Sequence, residues 1–189
     1  MVRVGGGNLF VLSGPSGVGK GTVLDKLMEN FDDINYSVSA TTRKPRTGEV
    51  EGEDYFFVSE DEFFRLKEEG EFIETARVHN HYYGTPRQQV RQSLEQGEDI
   101  ILEIDIQGAR QVKEQFPGAI MIFLLPPSLS ELEERLQRRG SESDKSRELR
   151  LENARQEIKK TVNYDYEVVN DVLEETVEQV KNIILSFKK

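Results

Sequence analysis

The residues best suited to chemistry lie early in the chain, at Gly14-Pro15-Ser16-Gly17-Val18-Gly19-Lys20-Gly21-Thr22. This stretch follows an apolar run, Asn8 to Ser13 (NLFVLS), and precedes an amphipathic one with Val23, Leu24, Leu27 and Phe31 on one side. Glycines at this density let consecutive backbone N–H groups turn inward around an anion, and a helix N-terminus adds its dipole. Lys20 has the reach to contact the outer phosphates of a nucleotide and to follow charge as a phosphoryl group moves. The usual pattern puts Ser or Thr directly after the lysine, where the hydroxyl meets magnesium. Gly21 stands there instead, and the hydroxyl comes one residue later at Thr22. A magnesium ion would therefore be held mainly by phosphates and water, near Thr22.

A second anion site is legible in SVSATTRKPRTGEVEGEDY, residues 37–55. Arg43 and Arg46 are three apart, among the hydroxyls of Ser39, Thr41, Thr42 and Thr47, with Tyr55 close behind. Forked guanidinium donors match the oxygens of a monophosphate, although a solvated basic turn would have the same composition. Glu74 follows in a stretch of alternating character, where a surface glutamate is the ordinary reading, and then His81-Tyr82-Tyr83-Gly84-Thr85-Pro86. Arg135 and Arg139 share a helical face, and Arg147 and Arg150 are three apart. Acidic neighbours at 131, 133, 134, 142 and 148 could simply pair with them. His79 and His81 have no partners at metal-ligand spacing and receive no role.

These groups need a frame, and the pattern supplies an α/β one with a largely parallel sheet. Buried strands are expected at Asn8–Ser13, Ile100–Asp105 and Ile120–Leu125, with a short last one at Glu167–Asn170. Ser59 with Glu62 and Ser128 with Glu131 read as capping boxes, with Gly70 and Gly140 at the far ends of those helices. Thr85-Pro86 reads as an N-cap and first helical residue, and Gly97 as that helix's end. The C-terminal helix carries Val177, Val180, Ile184 and Phe187 on one side. The expected organisation is a single domain over 7–187. Its core takes in about 1–35, 86–134 and 156–189, with a mixed α/β insertion at about 36–85 and a helical lid at about 135–155. Residues 140–150, nearly devoid of apolar groups, read as a mobile arginine-bearing segment.

Composition narrows the class further. The chain has 189 residues, 36% of them apolar, which suits one compact domain. No apolar run approaches the ~20 residues of a membrane-spanning helix, and no signal peptide is visible, so a cytoplasmic protein is expected. There is no cysteine, which excludes disulfides and thiolate chemistry. The net charge of −10 argues against nucleic acid or anionic membrane as partner, while leaving room for a local phosphate site.

Taken together, GPSGVGKGT, SVSATTRKPRTGEVEGEDYFFV, GEFIE, YYGTP and LEIDIQGARQVK resemble guanylate kinase, in family order, over about Asn8 to Phe187. The resemblance implies a P-loop kinase core, a GMP-binding insertion and a lid, with ATP and GMP as substrates and magnesium required. It implies that the 14–22 loop binds ATP and that Asn170 lies near the adenine ring. Arg43, Arg46, Tyr55 and Tyr83 are then expected on the GMP phosphate, and Ser39, Glu74 and Thr85 on the guanine. Asp105 matches the family's carboxylate near GMP and magnesium, and is weighted over Glu103 because a strand's end faces the ligand crevice. Lys20, Arg135, Arg139 and Arg150 are the expected cations on the transferring group. Two rivals stand beside this: a kinase-like scaffold that binds a phosphorylated peptide, and an adenylate-type kinase, which the GKGT loop also resembles. A monomer or small homo-oligomer is expected.

Overall fold

In chain order the elements are β1 (Leu9–Ser13), α1 (Lys20–Met28), β2 (Ile34–Tyr36), β3 (Ala40–Thr41), β4 (Phe56–Phe57), α2 (Glu60–Glu68), β5 (Phe72–Val78) and β6 (His81–Pro86). They continue as α3 (Arg87–Gln96), β7 (Asp99–Glu103), α4 (Ile106–Gln115), β8 (Ile120–Leu125), α5 (Leu129–Arg138), α6 (Asp144–Ile158), β9 (Tyr166–Val169) and α7 (Leu173–Leu185). This computed structural model describes residues 6–78, 80–138, 144–158 and 164–188, with backbone alone at 138 and 144–150. Two compact units divide the chain. One holds residues up to Leu9, Asp33–Leu102 and Gln107–Ala119; the other holds Phe10–Asp32, Glu103–Ile106 and Ile120 onward.

The second unit is built on three parallel strands in the order β1-β8-β9, with Phe10 opposite Ile120 and Ile122 opposite Tyr166. Every residue of β1 is buried, as are five of six in β8. Strands covered on both faces read as unbroken apolar runs, which is why both were visible in the sequence. α1 buries Val23, Leu24 and Leu27, and α7 buries Val177, Val180 and Ile184. Phe31 and Phe187 lie beyond the ends of those helices, and Phe187 meets Phe10 edge-on at 6.0 Å. Residues 144–150, within the stretch expected as an arginine-bearing segment, form the first half of α6. No glycine or proline interrupts this helix, and its later residues Leu151 and Ala154 pack on Leu132 and Leu136 of α5. That packing stabilises a helix whose first half is polar.

The first unit has the parallel pair β2·β7 and a small mixed sheet in the order β4-β3-β6-β5. β3·β4 is parallel, while β3·β6 and β5·β6 are antiparallel. Ala40, Phe63 and Phe72 form one buried cluster in this unit, with the Phe63 and Phe72 rings stacked at 4.8 Å. Ser59 caps α2 by accepting from Glu62 N at 3.2 Å, and Gly70 follows the helix in the left-handed region at φ 75°. The start of α3 differs from expectation. Thr85 and Pro86 end β6, and the helix begins at Arg87 with Pro86 as its cap. The Thr85 hydroxyl instead donates to the Glu74 carboxylate on the neighbouring strand β5, a charge-assisted bond.

Candidate functional site

In the second unit β1 delivers the chain into the 14–22 loop. Gly19 caps α1 at φ 98°, a conformation L side chains avoid, and a Cβ there would meet Asn170 Nδ2 at 2.7 Å. Lys20 is the first residue of α1, and its ammonium donates to Gly14 O at 2.6 Å and Pro15 O at 3.3 Å. The cation therefore lies across the mouth of its own loop, where an anion seated on the helix N-terminus would meet it. Asn170, at the end of β9, is buried and donates to Val18 O at 2.7 Å. Arg135 Nη1 reaches the same carbonyl at 3.4 Å, while its Nε donates to Glu131 at 3.0 Å. Asn170, expected near the adenine ring, and Arg135, expected on the transferring group, are thus both tied to the loop backbone, contacts that motif spacing alone does not reveal. Between β1 and α1, Gly14, Pro15 and Val18 are buried and Val18 N donates to Pro15 O at 3.2 Å around the turn at Ser16 and Gly17, while Thr22 lies in the first turn of α1.

Ile104 N donates to Leu12 O at 3.2 Å, which sets the segment carrying Asp105 alongside β1 at its loop end. Glu103 comes closer to the loop than the sequence led one to expect. A Cβ at Gly21 would lie 3.7 Å from its carboxylate, an ordinary contact. Behind the loop, burial pushes the Tyr164 phenol up to about 12, so it stays neutral in the field of Asp105. Among the described residues no three acidic or histidine side chains cluster to cage a metal. Magnesium keeps several waters and binds by one or two carboxylates plus phosphates, and Glu103 beside Gly21 and Asp105 just after Ile104 are carboxylates of the kind it takes. Arg139 lies outside the described residues, and Arg150 falls on α6 in the stretch of which only backbone is described.

In the first unit the arginine cluster is braced. Arg43 makes a forked bond to Glu49, Nη1 to Oε2 and Nη2 to Oε1, each 2.8 Å. Both side chains are largely covered, at 10% and 18% exposure. The same carboxylate accepts from Arg46 N at 2.6 Å, so one glutamate fixes the turn that carries both arginines. The hydrogen bonds from Arg43 hold the Glu49 carboxyl below the usual range, against the opposing effect of burial. The Arg43 guanidinium lies 5.2 Å from the Tyr55 ring centre, and Tyr55 meets Tyr83 edge-on at 6.0 Å. The sequence reading gave Glu49 no role; its spacing three residues after Arg46 in a turn was the available signal.

β5 and β6 bring the expected base-recognising residues together. Glu74 stands opposite Thr85 in the register, and the Thr85 hydroxyl donates to Glu74 Oε1 at 2.7 Å. Glu74 is 3% exposed and Thr85 is fully buried, so the surface-glutamate reading is overturned. Ser39 is buried too, next to β3. A carboxylate held in this way presents acceptor oxygens in a covered place, where an unmatched partner is costly. His81 opens β6 half-buried, and His79 lies outside the described residues.

The Guanylate kinase family model matches residues 6–187. A guanylate kinase of Caldanaerobacter subterraneus is 50% identical over 96% of this chain and 88% of its own length. One from Oceanobacillus iheyensis is 53% identical over 95% of this chain and 87% of its own. The crystal structure of guanylate kinase from Anaplasma phagocytophilum superposes with a TM-score of 0.79, at 40% identity, covering 97% of this chain and 88% of that one.

Proposed function

This chain belongs to the guanylate kinase family, and from that premise we infer that it transfers the γ-phosphoryl group of ATP to GMP, giving ADP and GDP. The observation that carries the reading is the buried Glu74–Thr85 pair in the same unit as a braced phosphate-binding arginine. Guanine presents N1–H and its 2-amino group side by side, and one carboxylate can accept from both. Adenine has an acceptor at N1 and no 2-amino group, so its lone pair would face Glu74 unmatched. In our assignment Ser39 and Thr85 complete the base site, and Arg43, Arg46, Tyr55 and Tyr83 hold the GMP phosphate.

The loop 14–22 and Asn170 take ATP, and Lys20 neutralises the phosphates on which charge develops. Arg135 adds a second cation at the loop, and Arg139 and Arg150 are assigned to the same task. Residues of about 135–155 act as the lid and about 36–85 as the GMP-binding insertion. Phosphoryl transfer asks little covalent chemistry of the protein; it asks for two anions held in line, charge neutralised and water excluded. Thr22, Asp105 and Glu103 would hold magnesium together with phosphates and water. When bound, the ion offsets phosphate charge. Among the described residues no helix is long and apolar enough to cross a membrane. ATP and GMP are met in the cytoplasm, and we assign the enzyme there, as a monomer or small homo-oligomer.

A coupled assay with ATP and GMP, IMP or AMP tests the reading. GMP should exceed AMP in kcat/KM by ~10⁴-fold or more, with IMP between them. Glu74→Gln should compress that ranking, since its amide can donate toward adenine. Use of AMP within about tenfold of GMP by the unaltered enzyme would end the assignment.

A further inference from the structure

Helix α4 follows β7 and packs along β5, the outer strand of the mixed sheet. An outer strand has backbone groups turned away from its sheet, and here glutamines of α4 take them. Gln111 accepts from Thr75 N at 3.2 Å and donates from Nε2 to Thr75 O at 2.8 Å. Gln115 Nε2 donates to Ile73 O. These bonds hold the backbone to α4 on both sides of Glu74.

Within that clamp Gly108 occupies the first turn of α4 and faces the Glu74 carboxylate. A Cβ at this position would come within 2.8 Å of Glu74 Cδ and 3.3 Å of Cγ, and closer still to Oε2. The three atoms nearest that Cβ all belong to the Glu74 side chain, so displacing the carboxylate is the direct relief. A carboxylate at the first turn of a helix is also favoured by the macrodipole, so this seat suits an anion as well as fitting its shape.

We propose that Gly108 is a positioning residue for base selection: its missing side chain is the seat that holds Glu74 in the orientation that reads guanine. The proposal rests on the reading of Glu74 given above. Gly108 touches no substrate and acts through the carboxylate alone. The contact also reverses what helix propensity would favour, because alanine is better than glycine in a helix interior.

The test is a double-mutant cycle of Gly108→Ala and Glu74→Ala, with Gly118→Ala as control because a Cβ there meets nothing within 4 Å. Gly108→Ala alone should raise KM for GMP by about 10²-fold, leave KM for ATP unchanged and lower Tm. In the Glu74→Ala background the same change should alter GMP kcat/KM by no more than about twofold and raise Tm. Equal losses in both backgrounds, or a Tm change of one sign in both, overturns the proposal. If the single variant does not fold, recovery of folding in the double variant supports the proposal and its absence overturns it. The GMP:AMP ratio of Glu74→Ala separates the two claims. A collapsed ratio with an additive cycle sinks only the role of Gly108, whereas an unchanged ratio sinks the reading of Glu74 and the proposal with it.

Discussion

Glu49 shows how a single carboxylate can organise an anion site of opposite sign. It lies in the turn proposed to take the GMP phosphate, yet its forked bond holds Arg43 in one orientation and its bond to Arg46 N fixes the turn. Losing a charged hydrogen bond costs roughly 1.5–3 kcal/mol. Glu49→Ala should therefore raise KM for GMP by about tenfold or more, leave KM for ATP unchanged and lower Tm, as steady-state kinetics and melting would show. The pair also sets an acid limit. The Glu49 carboxyl is held below its unfolded value near 4.3, so its contribution to stability is full above that value. It is lost as pH falls through the lowered folded value. Glu49→Gln should lose less stability between pH 6 and pH 3 than the parent, in denaturant titrations at each pH; an equal loss would place the acid sensitivity elsewhere.

At the scale of elements, the polar helix α6 depends on a small apolar seam. Leu151 and Ala154 meet Leu132 and Leu136 of α5, and the same Leu136 is what a Cβ at Gly17 would strike, at 2.7 Å from its Cδ2. The seam thus joins α5 and α6 to the 14–22 loop. Truncating a buried leucine costs about 2–5 kcal/mol. Leu151→Ala should strip amide-exchange protection from residues 151–158 while that of β1 and β8 persists. Uniform loss of protection would show that α6 unfolds only with the whole chain. Helix capping, by contrast, is local, and the Ser59 and Ser128 hydroxyls accept from Glu62 N and Glu131 N as their spacing in the sequence foretold.

For the whole molecule, substrate binding should appear as stability, because a ligand bound only by the folded state raises it by mass action. GMP at about a hundred times its Kd should add about 2.7 kcal/mol, or roughly 5–10 °C in Tm for a chain of this size. Arg43→Ala should abolish the shift, and AMP should give none at equal concentration. A Tm insensitive to GMP would contradict the site. Sequence alone determined the parallel strands β1 and β8, the glycine-rich loop between β1 and α1, and the family, because unbroken apolar runs and glycine spacing act through neighbours along the chain. It also put Glu74, Thr85, Arg43 and Arg46 on the page as residue types. Only the tertiary structure decided what each one touches. Thr85 faces Glu74 rather than capping α3, Glu49 braces Arg43, Glu103 approaches the loop, and Gly108 leaves room for a carboxylate 34 positions earlier in the chain. Such partners meet through strand register and helix packing, and burial then fixes which of them a charge must answer to; neither is written in local spacing.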